Sequence, residues 1–110
     1  MTDSILVLGT ELGNADTITQ LYQSPSGGQG TVITACTVAN NTNSSVSFKL
    51  YIYSQTGEVI SAIVPMSIVV PDRYNSCASA VNHVVPAGGT IRAECSEANS
   101  LAFTITGSEQ

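Results

Sequence analysis

The sequence predicts an all-β fold: a single antiparallel β-sandwich, jelly-roll or Ig-like, of about seven to eight strands. Three observations predict it. No window places apolar residues at i, i+3, i+4 and i+7, as an amphipathic helix requires. Apolar and polar residues instead alternate with period 2 in several stretches, the pattern of a strand with one buried face. Finally, turn-forming clusters of Gly, Pro, Asn, Asp and Ser recur between those stretches.

The elements follow in order. Residues 1–16, MTDSILVLGTELGNAD, carry an apolar patch of Ile5, Leu6, Val7 and Leu8 ahead of a Gly/Asn/Asp-rich link. Such a leading segment serves either as an edge strand of its own domain or as an arm reaching a neighbouring subunit. Residues 17–110 form the sandwich domain, starting with a strand at Ile18–Gln23 and a turn at Ser24-Pro25-Ser26-Gly27-Gly28. The next strand runs Gly30–Ala39 and ends in Asn40-Asn41-Thr42-Asn43, where Asn side chains close a turn through their own amides. In Val46–Ser54 the alternation is clearest: Val46, Phe48, Leu50 and Ile52 point inward, and Ser47, Lys49, Tyr51 and Tyr53 outward.

After Gln55-Thr56-Gly57 comes a less regular region, Val59–Val70, then Pro71-Asp72 and a strand at Ala80–Val85. Pro86-Ala87-Gly88-Gly89 turns the chain into Thr90–Ser96, where Ile91, Ala93 and Cys95 alternate with Arg92 and Glu94. Ser96-Glu97-Ala98-Asn99 leads to Leu101–Thr106, with Leu101, Phe103 and Ile105 on one face. With so few helices, one face of each strand is buried either against a second sheet about 10 Å away or by closure of one sheet into a barrel, and the sandwich is favoured.

Composition narrows the function. Charged residues are 10% of the chain, against about a quarter in an ordinary soluble domain. A neutral exterior rich in Ser, Thr and Asn is easier to explain where partners cover much of it. The net charge is −5, and Lys49, Arg73 and Arg92 are too scattered to neutralise a phosphate backbone, so direct nucleic-acid binding is not expected. The opening residues lack the basic n-region and cleavage site of a secretory signal, and the apolar runs are too short to span a membrane. A protein made in the cytoplasm is expected.

No chemistry stands out. Cys36, Cys77 and Cys95 are odd in number and include no C-x-x-C, which disfavours a disulfide framework or a zinc site, and no cofactor is expected. His83, the one histidine, stands in a strand-like run with no Gly-x-Ser-x-Gly elbow elsewhere, so a structural role is favoured over a general base. Glu58, Glu94 and Glu97 would serve as a glycosidase-like pair only if two met in a cleft. Asp16, Asp72 and Glu97 lack the spacing of a calcium loop. Gly88-Gly89 precedes a strand rather than a helix, which removes the anion-binding N-terminus a phosphate loop needs. The sequons at Asn40 and Asn43 are read as a turn. Tyr51, Tyr53 and Tyr74 are amphipathic rings of the type that anchors protein contacts, although a layer of the same domain could equally cover the first two.

The order of segments resembles a known family. Asp16-Thr17-Ile18-Thr19-Gln20-Leu21-Tyr22, Thr31 to Asn41, Val84-Val85-Pro86-Ala87-Gly88-Gly89-Thr90-Ile91-Arg92-Ala93 and Glu97 to Gly107 together resemble small β-sandwich virion structural proteins of tailed bacteriophages. The likeness covers about residues 16–107 and departs from the pattern between Val59 and Ser79. The resemblance implies a multi-copy virion subunit of the capsid decoration or cement type, with neck, collar, tail or baseplate proteins as the alternative. Partners would be other virion proteins and copies of itself in a homo-oligomer. The family shares no catalytic residues, and the chain is not expected to be an enzyme. A carbohydrate- or receptor-binding sandwich module is the reading from a different class. The residues expected at an interface are Ile5, Leu6, Val7, Leu8, Tyr51, Tyr53 and Tyr74.

Overall fold

The structure, a computed structural model, describes residues 4–71, 73–75 and 80–110, with 74 and 75 described through backbone pairing alone. Among them are nine strands: β1 (Ser4–Glu11), β2 (Thr19–Gln23), β3 (Thr31–Asn40), β4 (Val46–Tyr53), β5 (Val59–Val69), β6 (Tyr74–Asn75), β7 (Val84–Val85), β8 (Thr90–Cys95) and β9 (Leu101–Glu109). They form two antiparallel sheets. The first runs β1-β9-β3-β6 with β7 also beside β3, and the second runs β2-β8-β4-β5. The chain is therefore an all-β sandwich.

The strand order chooses between the two sandwich types. β4 pairs with β5, β3 with β6 and β7, β2 with β8, and β1 with β9. Each pair lies inside the next along the sequence, as in one long hairpin wrapped across two sheets. With β6 and β7 sharing one position, this is the eight-stranded jelly roll.

The alternation expected for β4 holds along the core face: Val46, Phe48, Leu50 and Ile52 are each at most 1% exposed. They meet Val38, Leu101, Phe103 and Ile105 of the first sheet in one apolar cluster. Phe48 and Phe103 touch edge to face, centroids 5.8 Å apart, joining the sheets at mid-height. At one end Tyr22 of β2 donates to the Glu109 carboxylate of β9, and its hydroxyl lies 3.0 Å from that of Thr31 on β3. A second set of polar contacts thus crosses between the sheets.

The expected strand at Ala80–Val85 shrinks to two residues. Asn82 sits at φ 71°, a left-handed conformation that a ladder does not accommodate. β9 instead runs three residues beyond Thr106, and there Gly107 is required: a Cβ would lie 2.6 Å from the Val32 carbonyl oxygen and 2.7 Å from Leu6. No helix among the described residues is long and apolar enough to cross a membrane.

Candidate assembly surfaces

The largest exposed apolar feature among the described residues is β5, which lies at the end of the second sheet's strand order and, among those residues, pairs with β4 alone. Its sequence, VISAIVPMSIV, contains no charge, and Val59, Ile60, Met66, Ile68 and the following Val70 are 48–62% exposed. Three register shifts against β4 explain how one strand points apolar side chains in so many directions. Each bulge changes the phase of the alternation, so Ile63, Val64 and Val69 are buried while their neighbours face solvent. Pro65 has no N–H to offer a ladder, which suits an edge position. Edge strands are ordinarily protected by charged side chains as well, and β5 has none.

On the first sheet β1 is an edge strand, paired to β9. The four apolar residues expected to act together there are divided. Val7 is 3% exposed and belongs to the core, and Leu6 packs against it, while Ile5 and Leu8 are 61% and 71% exposed. Strand alternation, shifted by a bulge between Ile5 and Val7, produces this division. Ile5 and Leu8 alone remain on the surface.

The tyrosines on the outer face of β4 have partners within their own sheet. Arg92 of β8 holds its guanidinium 4.2 Å from the centre of the Tyr53 ring, and Tyr51 meets Tyr53 edge to face at 6.2 Å. Tyr53 is consequently only 9% exposed, which is the covered one of the two alternatives for this ring. Tyr51 donates from its hydroxyl to Glu94 Oε1 at 2.7 Å, and Lys49 Nζ stands 3.9 Å from the same oxygen. Burial, then this acceptor beside it, pushes the Tyr51 phenol up to about 12. The side chain of Tyr74 lies outside the described residues.

The remaining polar candidates are not brought together. Glu97 accepts from Ser44 Oγ at 3.2 Å where β4 begins, Glu94 lies mid-strand under Tyr51, and Glu58 sits in the hairpin beyond the far end of β4. His83 is half-buried, with its carbonyl accepting from the Ile33 N–H. Asp16 occupies a left-handed turn position, and Asp72 and Cys77 lie outside the described residues. Among the described residues no group of three or more His, Cys, Asp or Glu is placed to hold a metal ion. Cys36 and Cys95 are buried. The Cys95 thiol donates to the Glu97 carbonyl at 2.9 Å, and burial pushes its pKa up.

The sequon at Asn40 is a buried turn. Its amide donates to the carbonyls of Ser44 and Val69 at 2.8 and 2.7 Å, and its carbonyl oxygen accepts from Thr42 N and Oγ1, both at 2.8 Å. Gly88, at φ 73°, and Gly89 form a turn in which Gly89 donates to Pro86.

The exposed residues that the sequence does not single out are Val59, Ile60, Met66, Ile68 and Val70, within the less regular strand region Val59–Val70. A signal existed. Apolar residues on both faces, no charge and an internal proline mark a bulged edge strand rather than a weak one. No protein-family model matches the chain, and no curated protein matches it. What the fold and its edges define is the class: a jelly-roll sandwich with a long, uncharged apolar edge and no assembled catalytic group among the described residues.

Proposed function

We propose that the protein is a multi-copy structural subunit of a tailed-phage virion, acting as a capsid decoration protein through contacts made by its sheet edges. The observation that carries the reading is β5, where four large apolar side chains and that of the following Val70 face solvent with no charge among them. Burying such a surface stabilises an assembly by mass action and needs no active site. The likeness of residues 16–107 to small phage virion proteins supports the same reading and supplies the particle.

Jelly rolls serve in capsid proteins and in lectins alike, so the fold alone does not choose between assembly and glycan binding. The aromatic face favours assembly, because Arg92 covers the ring of Tyr53 that a sugar would stack on. The test is quantitative mass spectrometry of gradient-purified particles from a lysate in which this chain is made. Many copies per particle, retained through repeated purification, are expected. Absence from purified particles would overturn the proposal.

A further inference from the structure

We infer that the occupant of the β5 edge is the β5 of a second copy of this chain, related to the first by a twofold axis through Val64. This rests on reading β5 as an assembly surface and adds the partner and the register.

The sequence of β5 is partly symmetric end to end, with three of its five mirror pairs identical. About Val64 as centre, Val59 mirrors Val69, Ile60 mirrors Ile68 and Ser61 mirrors Ser67, while Ala62 falls opposite Met66 and Ile63 opposite Pro65; Val59 is exposed and Val69 buried, so the pairs exposed on both sides are Ile60/Ile68 and Ala62/Met66. Twofold pairing of antiparallel strands sets residue i of one copy opposite its mirror position in the other, and a twofold interface repeats each contact. Ile60, 54% exposed, then lies opposite Ile68 of the other copy, 60% exposed, and this contact occurs twice. Ala62 and Met66 match in the same way, again both exposed. A foreign partner would have to supply this pattern, whereas a second copy already carries it.

Charge and area agree. The chain carries −5 overall, yet none of that charge lies on β5, so two copies approach along this edge without like charges facing each other across it. The five exposed side chains present roughly 500 Å² of apolar surface, near the top of the range for a lone monomer. Edge pairing covers part of that surface on each copy, which places the contact at the small end of specific interfaces. Pro65 and the three bulges interrupt the backbone ladder, so side-chain burial carries the association and a micromolar dimer is expected.

The experiment measures the mass of the purified protein over a wide concentration range by sedimentation equilibrium. It compares wild type with an Ile60→Lys/Ile68→Lys variant and with an Ile5→Lys/Leu8→Lys variant on the opposite edge. The inference expects dimers for wild type and for the β1-edge variant, and monomers for the β5 variant. A wild type that is monomeric throughout, or a β5 variant that still dimerises, overturns it.

Because the lysine variant could fail to fold, a second measurement uses Ile60→Cys and Ile68→Cys chains, each also carrying Cys77→Ser. Mild oxidation of the mixture should cross-link the two chains, and either alone should cross-link at least tenfold less. Equal cross-linking in the separate samples overturns the register. The two proposals fail separately: a monomer found in purified particles overturns the β5 pairing alone, and a dimer absent from particles overturns the virion reading alone.

Discussion

Asn40 is the residue on which most turn geometry converges. Four hydrogen bonds between 2.7 and 2.8 Å hold its side chain at 3% exposure, and one of them reaches the Val69 carbonyl at the end of β5. Asn40→Ala leaves buried carbonyls unpaired and is expected to lower stability by about 1–3 kcal/mol in urea unfolding. Gly107→Ala is expected to cost a similar amount, about 1–3 kcal/mol, because the added methyl meets the Val32 carbonyl, which cannot rotate away. Tyr51 supplies a pH test. Its folded pKa of about 12 exceeds the ordinary value of 10.0, so its stabilisation is complete below pH 10 and is lost as pH rises through about 12. Over that window wild type should lose stability that Tyr51→Phe does not, as followed by urea unfolding at each pH.

At the scale of elements, what the sequence made legible depended on whether a strand keeps one phase. β4, β8 and the core half of β9 alternate cleanly because each is paired on both sides; β4 and β8 appear within a residue of their expected bounds, and β9 starts where expected and runs three residues past its expected end. β1 and β5 are edges with bulges, and there a contiguous apolar run does not reveal which side chain faces in. β6 and β7, two residues each, are too short to carry a period. The candidate surface was therefore half legible: Ile5 and Leu8 were named, and β5 was not. The division of β1 has a measurable counterpart. Val7→Ala should cost about 1–3 kcal/mol, and Ile5→Ala or Leu8→Ala no more than about 0.5 kcal/mol, in parallel unfolding curves.

For the whole molecule, the balance between a charged body and an uncharged edge sets how association responds to salt. Two copies each carrying −5 repel through solvent, and the repulsion is screened within about 10 Å at 0.1 M salt. The apolar contact itself is not weakened by screening. Raising ionic strength should therefore tighten self-association, the opposite of an interface built on ion pairs, and sedimentation at low and moderate salt will show the sign. A dimer would also make the melting temperature rise with protein concentration, as no lone monomer does.

The nesting of strand pairs also orders events in time. β9 lies between β1 and β3, so the first sheet has no central strand until residues beyond Leu101 are available. During synthesis the first hundred residues wait, with the inner β4–β5 hairpin the earliest pairing open to them. A chain cut short ahead of β9 leaves two long strands bare and a core without Phe103 or Ile105. Such fragments are fit for proteolysis, and the first sheet closes only in chains whose translation has reached the last strand.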